Sequence, residues 1–108
     1  MKVKVTDNSE IFRNAKDAAV RAALEAIGLT AERYAKAKCP VDTGRLRGSI
    51  THEVDKGEAA VYIGTNVEYG KYVERGTSRS RKQPFLQPAA ANHSDEYKRI
   101  AENCLKNA

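Results

Sequence analysis

Large apolar side chains are scarce in this sequence. Leucine, isoleucine, valine and phenylalanine together number 20 of 108 residues, and 16 alanines carry much of the 41% apolar fraction. So small a complement builds a thin core. Disorder is the ordinary consequence of such a composition, but the net charge is only +5 and the apolar periodicity is regular. The expectation is one folded domain that completes its burial against copies of itself. A chain of this length buries about two-thirds of its unfolded surface. Cysteine is equally sparse. Cys39 and Cys104 lie far apart at apolar helical positions, without metal-ligand spacing, and read as buried free thiols. No apolar run approaches the roughly 20 residues that span a bilayer. No signal peptide opens the chain and no internal repeat is visible, so a soluble protein of a reducing cytoplasm is expected, with no membrane partner.

The machinery of catalysis is missing as well. His52 has no Cys, Asp or His at metal spacing and reads as neither ligand nor catalyst. The run from Gly64 to Gly70-Lys71 resembles a phosphate-binding loop, but five residues separate its glycines where the signature has four. Tyr72 then stands where a Ser or Thr must hold magnesium. No nucleophile–base set, paired carboxylate site or metal cluster is present, which points away from an enzyme, a cofactor or a small-molecule substrate.

What is present is organised around residues 39–50. Upstream, from about Glu10 to Lys38, the pattern is helical. One stripe runs Ile11, Ala15, Ala18, Ala22 and Ala26, and a second runs Val20, Leu24, Ile27, Ala31 and Tyr34. A stripe made almost wholly of alanine suits close packing against another helix, within the fold or between subunits. Gly28 costs about 1 kcal/mol in a helix interior and permits a bend. Pro40 ends this helix, because it lacks an N–H and disfavours helical geometry at Cys39. Asp42 and Thr43 can bond nearby backbone and Gly44 permits a positive φ, so residues 39–48 read as a hinge loop.

Around that hinge the remaining elements fall in order. Residues 2–6 alternate charged and β-branched side chains, which predicts an edge strand with Val3 and Val5 inward. Asp7 and Ser9 offer helix caps. Residues 49–65 predict a β-hairpin with Ile50, Val54, Val61 and Ile63 inward, and with Glu53, Asp55 and Glu58 on an acidic outer side. Residues 69–75 suit a short helix that Gly76 ends. Residues 76–88 are a basic loop and a proline-rich anchor, in which Pro84 and Pro88 hold the backbone while Phe85 and Leu86 enter the core. A C-terminal helix follows over 89–106, with Tyr97, Ile100, Ala101, Cys104 and Leu105 as its apolar stripe. The fold class is therefore α+β, with long N-terminal and C-terminal helices packed on a small antiparallel sheet.

Several of these segments carry a resemblance. Pro40-Val41-Asp42-Thr43-Gly44 with Leu46 and Ser49-Ile50 is followed by Ile63-Gly64-Thr65, Tyr69, Tyr72-Val73-Glu74 and Gly76-Thr77. Pro84-Phe85-Leu86 and Pro88-Ala89 come after them. In order and spacing, across roughly residues 10 to 105, the chain resembles a family of small tailed-bacteriophage proteins. These are the tail-component or neck proteins typified by the gene-ten product of phage HK-ninety-seven. Arg75 is a departure, because the resemblance leads one to expect an apolar or aromatic residue there. The resemblance implies a non-enzymatic α+β protomer without a cofactor, forming a homo-oligomeric ring at the head–tail junction or proximal tail. It implies other neck or tail proteins as partners, and a virion location after assembly in the host cytoplasm.

Charge suggests how such a ring is put together. Glu53, Asp55 and Glu58 face only Lys56 on the hairpin, whereas Arg75, Arg79, Arg81 and Lys82 crowd the loop. Opposite signs on two surfaces permit head-to-tail contact. The same loop could instead face DNA in a channel, or serve a small basic nucleic-acid-binding protein. Against that last reading, no aromatic residue interleaves the loop.

Overall fold

The structure, a computed structural model, describes residues 1–7, 12–13, 15–40, 44–79 and 81–106, with only the backbone of residues 6 and 7. Ser9 and Glu10 at the expected helix start, and Asp42 and Thr43 in the hinge, lie outside the described residues. The protein is α+β. β1 (Lys2–Asp7), β2 (Thr51–Asp55) and β3 (Ala60–Gly64) form an antiparallel sheet in the order β1-β3-β2. The N-terminal strand thus joins the free edge of the hairpin's second strand. A bulge between Lys4 and Thr6 shifts its register, and Val5 is buried there. Gly64 is required at the start of this pairing. A Cβ on it would stand 2.3 Å from the Met1 carbonyl oxygen and 2.8 Å from the Lys2 Cα.

One face of the sheet is covered by α1 (Asp17–Lys38), which buries Val20, Ala23, Leu24, Ile27, Ala31 and Ala35. This helix begins later than the expected residue 10. Residues 12 and 13 lie in a turn, and the Phe12 ring enters the core where a helix would have held it on a fixed stripe. Lys16 precedes the helix without a side-chain cap, and Asp17 supplies negative charge to its first turn. The hinge is also more ordered than a loop. Gly44, at φ 73°, starts a short helix α2 (Arg45–Ser49), where five residues are too few to show a period in sequence. α3 (Gly70–Arg75) follows the hairpin.

The C-terminal helix is broken in two, α4 (Leu86–Ala91) and α5 (Ser94–Lys106). The break at residues 92–93 lets Ala89 and Ala90 face the core together with Tyr97 and Ala101. The Tyr97 hydroxyl, fully buried, donates to the Ala89 carbonyl across the break. His93 stacks on Tyr34 of α1, with ring centroids 3.6 Å apart.

His52 has a structural role that the sequence concealed. It shares the inward parity of Ile50 and Val54, and its ring lies over Gly28 of α1. Nδ1 stands 2.9 Å from a Glu32 carboxylate oxygen and Nε2 stands 2.9 Å from one of Glu25. Gly28 leaves space for this ring. An added Cβ would meet His52 Cδ2 at 2.5 Å and Cγ at 2.8 Å. Burial disfavours the imidazolium, but hydrogen bonds and charge from Glu25 and Glu32 outweigh it and raise the His52 pKa. Burial likewise opposes the Glu32 carboxylate, and bonds from His52 and Lys36 outweigh it and lower its pKa.

The signs define a window. The His52 contribution is complete below its ordinary pKa of about 6.5 and is lost as pH rises through the raised folded value. The Glu32 contribution is complete above its ordinary value and is lost as pH falls through the lowered one. Melting temperature should therefore decline as pH rises from about 6, and His52→Gln should remove part of that decline. Gly28→Ala should gain about 1 kcal/mol of helix propensity but lose about 1–3 kcal/mol to overpacking. In a His52→Ala background the same change should become stabilising. Equal effects of Gly28→Ala in both backgrounds would refute the packing of this ring.

Candidate assembly surface

Three of the quoted sequence segments meet at one place. The Ser49 hydroxyl donates to the Leu46 carbonyl and accepts from the Thr65 hydroxyl, whose oxygen accepts the Val67 N–H at 3.1 Å. Leu46 is buried, and Arg45 lies over the Tyr69 ring at 5.7 Å. α2 is thereby locked to the segment that launches α3.

α3 ends at Gly76, whose φ of 78° is left-handed and whose N–H donates to the Tyr72 carbonyl at 2.7 Å. The chain leaves there and returns at once to the same point. A Cβ on Gly76 would lie 2.8 Å from the Lys82 nitrogen, and the Gln83 N–H donates to the Val73 carbonyl at 2.8 Å. Gly76 and Gln83 therefore form a closed base for the loop.

Glu74 secures the exit. Only 7% exposed, its carboxylate accepts the N–H groups of Phe85, Leu86 and Gln87 at 2.9, 2.8 and 3.0 Å. These are first-turn donors of α4 that have no partner within the helix, and negative charge there also suits the helix dipole. Phe85 precedes the helix and cannot cap it, so the acid must come from elsewhere in the chain. Phe85 and Leu86 are fully buried, while Pro84 and Pro88 are half-buried beside them. In the sequence Glu74 stood out only as part of the Tyr72-Val73-Glu74 motif, with no role of its own. The missing cap at Phe85 was the signal that could have assigned one.

The surface around this base is basic. Lys71, Arg75, Arg79, Arg81 and Lys82 are exposed, and among the described residues none forms an ion pair with a carboxylate. Tyr72 is 52% exposed and Tyr69 36%. The Lys71 ammonium lies 5.2 Å from the centre of the Tyr72 ring. The acidic hairpin side is different in kind. Glu53 pairs with Lys2 at 3.1 Å and Glu58 with Lys4 at 3.5 Å, both exposed. The Asp55 carboxylate accepts the Glu58 N–H at 3.1 Å. The lysines of β1 thus meet the hairpin's glutamates within one protomer, and the hydrogen bond and charge of Glu53 raise the Lys2 pKa.

The model of the family described as "Bacteriophage HK97-gp10, putative tail-component" matches residues 2–76, well over half of the chain. The chain belongs to this family. Comparison with curated proteins and with solved structures gives no match. The tail-component match runs from β1 to the glycine that ends α3. It includes Gly44, Leu46, Gly64, Tyr72 and Glu74 but stops short of Pro84, Phe85 and Pro88. Among the described residues, no group of three His, Cys, Asp or Glu is placed to hold a metal ion. No described helix is long and apolar enough to cross a membrane.

Proposed function

We propose that this tail-family protein is a structural, non-enzymatic part of the virion that assembles into a ring as a head–tail connector or tail-completion component. The family match over residues 2–76 carries the reading. An uncovered surface on α1 supports it. Ala18, Ala22 and Leu29 lie on one side of that helix, all exposed, with Leu29 at 42%. Small side chains let a neighbouring backbone approach, and Leu29 gives the contact an apolar anchor. A second copy is the occupant that the thin protomer core favours, and a head-to-tail arrangement closes into a ring when the rotation per subunit allows.

Native mass spectrometry tests this directly. The wild type should appear as a defined multiple of the protomer mass. Leu29→Arg should shift it to monomer while changing protomer stability by no more than about 0.5 kcal/mol, as for other exposed positions. A wild type that stays monomeric at high concentration, alone and with other tail proteins, would overturn the ring.

A further inference from the structure

The strongest unassigned feature is the surface formed by α3 and the loop that follows it. In sequence the run from Lys71 to Lys82 holds five basic residues and one acid. In the fold that acid, Glu74, turns inward and spends its carboxylate on three N–H groups of α4. From Lys71 to Lys82 every charge that faces solvent is therefore basic, with exposed Glu68 lying just before α3 beside Lys71 and Tyr72. The backbone that carries the cations is also held at its base. The loop is pinched where Gly76 meets Lys82, tied by the Gln83 to Val73 bond, and anchored beyond by Glu74. A loop closed in this way loses less freedom when a ligand binds it.

The aromatic component that the sequence reading found lacking is supplied by α3. Tyr72 is exposed beside the loop with Lys71 against its ring, and Arg45 reaches Tyr69 from α2. Cations set beside exposed aromatic rings fit a polymer that has both phosphates and flat bases. The rival ligand is an acidic protein surface. The hairpin of a second copy offers a poor one, because its Glu53 and Glu58 are already met by Lys2 and Lys4. A nucleic-acid backbone offers dense, regularly repeated charge.

We infer that Lys71, Tyr72, Arg75, Arg79, Arg81 and Lys82 form a sequence-independent contact for the phosphate backbone of DNA. The basic residues neutralise phosphates, and Tyr72 lies against bases or sugars where the strands part. Such binding needs no ring, so it is separable from the assembly proposed above.

The experiment is fluorescence anisotropy of the full chain with labelled DNA, duplex and single-stranded, over a range of salt. Affinity should be alike for unrelated duplex sequences. Its logarithm should fall linearly with the logarithm of salt, with a slope no steeper than about −4.5 for five phosphate contacts. Arg79→Gln with Arg81→Gln should make that slope shallower by about 2. Tyr72→Ala should weaken single-strand binding about 5-fold or more. All three positions are exposed, and far-UV circular dichroism with native mass verifies that fold and assembly persist. Polyglutamate competing as well as DNA would reassign the surface to an acidic protein and overturn the proposal. So would wild-type affinity and slope in the double variant, or loss of assembly together with DNA binding. A monomeric wild type that binds DNA as described would sink the ring and leave this contact standing.

Discussion

Replacing Glu74 by alanine is expected to destabilise the protein by about 3–5 kcal/mol, because two buried N–H donors and one partly buried one lose their acceptor together. The donors belong to consecutive residues at the start of α4, so the loss concentrates where Phe85 and Leu86 enter the core. The conservative variant should fall between. One carboxylate oxygen takes Phe85 and Leu86, and the other takes Gln87. In Glu74→Gln the amide oxygen can keep the first two bonds, but its NH2 then faces the Gln87 N–H as donor to donor. Urea denaturation should therefore rank Glu above Gln above Ala. Equal stability of wild type and Glu74→Ala would show that the carboxylate does not hold the α4 start.

Phe85→Ala should cost a further, comparable amount, about 3–5 kcal/mol for a fully buried ring whose cavity only partly collapses. Phe85 is completely shielded from solvent. A domain of this kind has about 5–15 kcal/mol of total stability, so the variant should be largely unfolded or melt far below the wild type. Phe85→Leu, which keeps most of the volume, should recover the larger part. The two sites touch through the Phe85 N–H, so the losses in Glu74→Ala and Phe85→Ala should not add. Additive losses in the double-mutant cycle would mean that the carboxylate and the ring act separately.

Much of the architecture was legible because it rests on local chemistry. Apolar residues at a helical spacing identified α1, and alternation identified the strands. Pro40 marked the end of α1, and the alternation over residues 49–65 marked the hairpin. Boundaries were less legible. Phe12, on neither apolar stripe, enters the core from a turn before α1, and the break at residues 92–93 lets Ala89 and Tyr97 both face inward. Neither choice is visible until there is a core to compete for.

The roles of individual charged and polar residues depended still more on the fold. His52 looked solitary because Glu25 and Glu32 are distant in sequence, and only packing of β2 on α1 brings them to either side of its ring. Glu53 and Glu58 looked unopposed until β1 paired with β3 and set Lys2 and Lys4 beside them. Glu74 stood out only as part of a motif until α4 needed an acceptor. By itself, the sequence determined the α+β class, the hairpin and the end of the long helix before Pro40, but not α2 or the break between α4 and α5, since propensity, periodicity and turn chemistry act over a few residues. Only the tertiary structure decided which charges are consumed inside the protomer and which reach solvent, because that depends on neighbours brought together from opposite ends of the chain.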